Sequence, residues 1–106
     1  MEPIIEQIKN TLDMNPVIIF MKGTPDRPQC GFSMRTCEAL KACGVEFGYV
    51  DVLAQPEIRE NLPKFSDWPT FPQVFVSGEL IGGCDIAIDL FEKGELQKIT
   101  KEAVNK

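Results

Sequence analysis

The 106-residue sequence contains no histidine, which removes every imidazole ligand, base and proton relay from the chemistry open to it. Positive charge is scarce: 11 lysines and arginines stand against 16 acidic residues, for a net charge of −5, and no basic run offsets that balance. A surface for the phosphate backbone of nucleic acid is therefore disfavoured. No apolar run approaches the ~20 residues that a membrane helix needs. The start, Met1-Glu2-Pro3-Ile4-Ile5-Glu6, has neither a basic leader nor a long apolar core. The expectation is a soluble, cytoplasmic protein without a membrane segment. Close cysteine pairs are also missing. The four cysteines, at 30, 37, 43 and 84, are spaced 7, 6 and 41 residues apart, which does not give the short paired spacing of a structural zinc module. In a reducing compartment they read as free thiols. With 43% hydrophobic and 25% charged residues, residues 1–106 are expected to form one compact domain.

Hydrophobic periodicity orders the chain. Ile4, Ile5, Ile8 and Leu12 recur at helical spacing and Asn15-Pro16 ends the pattern, predicting a helix over about 3–14. Val17-Ile18-Ile19-Phe20-Met21 is a continuous β-branched and aromatic run, the signature of a central strand buried on both faces. The next residues, 22–29, carry Gly23, Pro25 and Pro28 and read as a loop whose Lys22 and Arg27 place positive charge beside Cys30. A helix is expected from about 30 to 43, with Gly44 as its left-handed cap. A second strand is expected over 45–52 and a short helix from Pro56 to about Leu62. Val74-Phe75-Val76, Ser77-Gly78 and Leu80-Ile81 then form a hairpin. Gly82-Gly83 leads to a last helical region from 84, which Gly94 divides. Two βα units followed by a ββα unit make an α/β pattern with helices on both faces of a mixed four-stranded sheet, the order of the thioredoxin fold.

The chemistry centres on Cys30-Gly31-Phe32-Ser33. A C-x-x-C pair closes its own disulfide, but here serine stands at the second position, so Cys30 must react with a thiol, protein or metal outside the motif. At a helix start, with Lys22 nearby, its pKa should fall. Cys37 lies about two turns, or ~10.5 Å, further along the helix, too far for a disulfide while the helix is intact. Cys37 and Cys43 read as core thiols. Trp68 and Phe32 read equally as packing or as recognition surface.

Four blocks together, Met21-Lys22-Gly23-Thr24-Pro25, Pro28-Gln29-Cys30-Gly31-Phe32-Ser33, Trp68 to Phe75 and Gly82-Gly83-Cys84-Asp85, resemble the monothiol glutaredoxins of the CGFS class over essentially the whole chain. The resemblance implies binding of glutathione and of a 2Fe-2S cluster shared by a homodimer, with Cys30 of each subunit and the glutathione thiols as ligands. It implies that Lys22 and Arg59 pair with the glycine carboxylate, and that Cys84 and Asp85 hold the γ-glutamyl end through backbone amides and the Asp85 carboxylate. It also implies that Thr70, Phe71 and Pro72 carry a cis peptide whose backbone meets the cysteinyl part. That last assignment rests on the resemblance, since only about 5–6% of X-Pro bonds are cis. Without the resemblance, Lys22 and Arg59 read as solvated charge and Asp85 as a helix N-cap, a role compatible with binding. Cys84 reads as serving through its backbone, with a resolving thiol as the other reading. The expected activity is carriage of the cluster to apo iron-sulfur acceptor proteins, with a BolA-like protein as a further partner. The alternative is glutathione-dependent thiol-disulfide exchange by Cys30 alone.

Overall fold

In the computed structural model, which describes residues 2–105, nine elements follow one another. Met1, which opens the expected leader-free start, and Lys106 lie outside the described residues. The helix α1 (Pro3–Met14) leads into the strand β1 (Val17–Met21), then α2 (Gly31–Ala42), β2 (Gly48–Asp51) and α3 (Pro56–Ser66). The hairpin β3 (Gln73–Val76) and β4 (Glu79–Gly82) is followed by α4 (Cys84–Glu92) and α5 (Glu95–Val104). The sheet order is β2-β1-β3-β4. β1 runs parallel to β2, with Met21 opposite Asp51, and antiparallel to β3; β3 and β4 pair antiparallel.

The unbroken apolar run of β1 has its reason in this arrangement. Every residue of the strand is buried, because side chains alternate between two cores. Val17, Ile19 and Met21 pack with Leu40, Ala87 and Leu96 on the face covered by α2, α4 and α5. Ile18 and Phe20 pack with Ile8, Leu12, Ile58 and Leu62 from α1 and α3 on the other. Phe20 and Phe75 meet edge to face at 5.5 Å within the second core. This is the mixed four-stranded sheet with helices on both faces that the pattern predicts.

Three expectations change in detail. The second strand is shorter than 45–52: only Gly48–Asp51 pairs, while Val45 and Phe47 pack against the α2 side without joining the ladder. The helix from Pro56 does not stop at Leu62 but continues through Pro63 to Ser66. Buried Leu62 and the partly buried Phe65 anchor that extension in the core. The Pro63 carbonyl accepts the N–H of the left-handed cap Asp67 and that of Trp68, closing the helix end. The N-cap of α4 is Gly83, so Asp85 stands in the first turn instead of capping it. The remaining turns follow the expected pattern. Ser77 and Gly78 both have positive φ, as a two-residue hairpin requires, and Gly44 and Gly94 are left-handed.

Candidate functional site

Cys30 is the N-cap of α2, in extended conformation, and its carbonyl accepts the first helical hydrogen bond from Met34 at 2.9 Å. The sulfur thus sits over the free amides of the first turn. The N–H of Ser33 is the largest influence holding the Cys30 thiol below its ordinary value. Partial burial opposes this, while the Phe32 N–H, the Lys22 charge and the Ser33 hydroxyl act in the same direction as the Ser33 amide. The sequence argument placed the positive charge of Lys22 beside the helix terminus; in the structure the backbone amide outweighs the lysine. Burial pushes the other two helix thiols, Cys37 and Cys43, upward. All four cysteines are free.

Ser33 is fully buried, and its Oγ accepts the Lys22 N–H at 3.1 Å. The serine in place of a second cysteine therefore bolts the start of α2 to the end of β1. The loop between them folds back on itself. Thr24 and Arg27 exchange backbone hydrogen bonds, Gln29 N–H donates to the Lys22 carbonyl at 2.9 Å, and Gly23 bridges Pro28. Gly23 has φ +91°, and a Cβ there would lie 2.5 Å from the Arg27 carbonyl oxygen, so only glycine fits this close approach.

Cys30, Lys22 and Phe32 form one side of a cavity of about 780 Å³. Arg59 of α3 reaches it from the second layer, Thr70, Phe71 and Pro72 line it ahead of β3, and Cys84 and Asp85 close it from the start of α4. The eight residues that the resemblance assigns to the site, Cys30, Lys22, Arg59, Thr70, Phe71, Pro72, Cys84 and Asp85, thus all line one cavity. The Phe71–Pro72 peptide is cis. Cys84 is 7% exposed, whereas Asp85 and Arg59 present their charges at the surface. The sole ion pair among the described residues joins Lys93 and Asp89, which leaves Lys22, Arg59 and Asp85 uncommitted to protein partners of opposite charge. Cations from the loop after β1 and from α3, facing an acid in the first turn of α4, suit a ligand carrying both signs of charge.

Trp68 also lines the cavity, and its Nε1 is buried without a hydrogen-bond partner among the described residues. A Cβ on Gly83 would sit 3.3 Å from both that nitrogen and the Pro72 carbonyl oxygen, so glycine lets α4 begin close against the 68–72 loop. Phe32, 57% exposed, stands at the rim with Ile86. Sequence reasoning passed over several of these supports. Ile86 and Pro63 also line the cavity. Gln73, fully buried, donates from Nε2 to the carbonyls of Trp68 (2.9 Å) and Thr70 (3.2 Å) and so fastens the 68–70 loop to β3. A polar side chain opening the apolar run Val74-Phe75-Val76 was the one available signal for it. No group of three or more histidine, cysteine, aspartate or glutamate side chains placed to hold a metal occurs among the described residues. No helix among them is long and apolar enough to cross a membrane.

Comparison with known proteins gives a consistent result. A glutaredoxin family model matches residues 17–81. Glutaredoxin 4 of Haemophilus ducreyi is 55% identical over 102 residues, covering 96% of this chain and 95% of that protein. Glutaredoxin 4 of Escherichia coli strain K12 is 51% identical over 106 residues, covering 100% of this chain and 92% of that protein. Among solved structures, reduced poplar apo GrxS14 is similar with a TM-score of 0.84 at 38% identity, over 97% of this chain and 94% of that one. The buckwheat glutaredoxin-glutathione complex shares the fold, with a TM-score of 0.80 at 23% identity over 92% of this chain and 87% of that one.

Proposed function

This chain belongs to the glutaredoxin family, in the monothiol form that its single motif cysteine defines, and we propose that it binds glutathione and carries a 2Fe-2S cluster held between two copies of itself. One observation carries this reading: a single acidified thiol, Cys30, faces a cavity bounded by two uncommitted cations and one acid. Glutathione has that complement of charges, with two carboxylates and one ammonium. Lys22 and Arg59 pair with its glycine carboxylate, and the start of α4 with Asp85 takes the γ-glutamyl end. The backbone of Phe71 beside the cis bond pairs with the cysteinyl unit, and Cys84 serves through its backbone.

The cluster is cargo, and the donor set suits it. One chain contributes the Cys30 thiolate, bound glutathione a second, and a second subunit repeats both, matching the preference of 2Fe-2S centres for thiolate sulfur. Ligands that dissociate with glutathione let the cluster pass to apo iron-sulfur acceptor proteins, and a BolA-like protein is a partner proposed on the family resemblance. The cytoplasm is the compartment we propose, and residues 1–106 the single domain. Anaerobic incubation with iron, sulfide and glutathione is expected to yield a coloured dimer that Cys30→Ser abolishes. A colourless monomer under those conditions would refute the carrier reading.

The lowered Cys30 pKa also favours a second reading, thiol-disulfide exchange. The thiolate attacks the glutathione sulfur of a mixed disulfide and expels the substrate thiolate. A second glutathione thiolate then attacks the Cys30–glutathione disulfide, releasing oxidised glutathione and regenerating Cys30. Turnover of a glutathionylated peptide at reductase rates would place this activity first; a negligible rate supports carriage.

A further inference from the structure

Asp51 ends β2 and lies outside the cavity lining, yet its carboxylate reaches the site through the backbone. Oδ1 accepts the N–H of Leu53 at 2.9 Å and, across 28 residues of sequence, the N–H of Gly23 at 2.9 Å. Asp51 is the register partner of Met21 in the parallel ladder, and the Val52 N–H donates to the Met21 carbonyl at 2.9 Å. Between these two ties stands Lys22, with its N–H on Ser33 and its carbonyl on the Gln29 amide. The main chain of 21–23 is thereby held by β2, by α2 and by its own loop, and the direction in which Lys22 leaves the backbone is determined. Among these ties only Asp51 provides an ionised acceptor, which makes its hydrogen bonds the charge-assisted kind. Gly23 is buried, so without the carboxylate its N–H becomes a buried donor with no partner, and the loop must shift to satisfy it.

We infer that Asp51 is a positioning residue for the glutathione site: it holds the Lys22–Gly23 backbone so that the Lys22 ammonium meets the glycine carboxylate, and so sets the preference for glutathione over thiol peptides lacking that carboxylate. The inference rests on the assignment of Lys22 and Arg59 to that carboxylate. Because Asp51 acts through Lys22, removing both should cost no more than removing Lys22 alone.

The test titrates reduced protein with glutathione and with its glycine-amide analogue, following amide NMR shifts, in wild type, Lys22→Ala, Asp51→Ala, the double variant and Asp51→Asn. In Asp51→Ala the preference for glutathione over the amide is expected to fall about fivefold to tenfold, less than the roughly twelvefold or more of a charged hydrogen bond lost to the ligand itself, because Asp51 acts through Lys22. Affinity for the amide stays unchanged, the double variant matches Lys22→Ala, and Asp51→Asn, which keeps an oxygen acceptor, falls between. An unchanged preference, equal weakening of both ligands, or full additivity with Lys22→Ala would overturn the inference. A wild type that binds both ligands equally would instead overturn the carboxylate assignment beneath it. Should Asp51→Ala fail to fold, Asp51→Asn decides, with about a twofold to threefold loss of preference expected from exchanging a charged for a neutral acceptor.

Discussion

Ser33 and Cys30 divide the work of a motif that usually contains two thiols. The serine is buried and bonded to the Lys22 amide, so it belongs to the scaffold, and it leaves Cys30 as the acidified thiol. Alkylation by iodoacetamide as a function of pH is expected to give a Cys30 midpoint below the ordinary 9.0, abolished in Cys30→Ser. Ser33→Ala removes the hydroxyl but keeps the stronger backbone donors. Its midpoint should therefore rise without reaching the ordinary value; a midpoint unmoved from wild type would show that the hydroxyl plays no part. The motif and the charge of Lys22 were legible from residue types. The buried hydrogen bond was not, because its partner is a backbone group brought near only by the fold.

At the scale of elements, the decisive unit is the loop between β1 and α2. Gly23 lies at φ +91° against the Arg27 carbonyl oxygen, whereas Gly31 opens α2 with nothing near its added Cβ. Gly23→Ala should destabilise the protein by about 1–3 kcal/mol in urea titration. Gly31→Ala should be neutral or gain up to ~1 kcal/mol. Equal effects would mean that the loop relaxes freely. The same comparison marks what the sequence reading missed in α3. The sequence pattern ends that helix at about Leu62, yet it continues through Pro63 to Ser66, because core packing of Leu62 and Phe65 outweighs the lost backbone hydrogen bond. In the second strand the apolar residues Val45 and Phe47 read as ladder positions, although their burial comes from packing against a helix layer.

For the whole molecule, two cores share one central strand. Ile18 and Ile19 are both fully buried on opposite faces of β1, so Ile18→Ala and Ile19→Ala should each cost about 2–5 kcal/mol by urea unfolding. A small loss at either position would contradict the two-core packing. Alkaline stability follows from the buried thiols. Burial raises the folded-state pKa of Cys37 and Cys43 above 9.0. Their contribution is thus complete below the unfolded value and is lost as pH rises through the folded one. Cys30, lowered, contributes in the opposite sense: its stabilisation is present above 9.0 and lost as pH falls through its folded value. Comparing urea midpoints at pH about 7 and about 10, Cys37→Ala/Cys43→Ala should lose less stability than wild type, and Cys30→Ser should lose more. The same pH response in all three proteins would refute the assignment.

The order of elements, the central strand and the lone reactive cysteine follow from the sequence by itself, since periodicity, β-branched runs and residue chemistry act locally or through burial that hydrophobicity announces. Juxtaposition belonged to the tertiary structure alone. Residues as distant as Lys22, Arg59, Phe71 and Asp85 converge on one cavity because the sheet order β2-β1-β3-β4 places the loop after β1, the α3 layer, the approach to β3 and the start of α4 at one end of the sheet. The supports of that cavity, Ser33, Asp51 and Gln73, bind backbone groups. Backbone groups are the same at every position, so no pattern of side chains could announce which of them the fold would bring within reach.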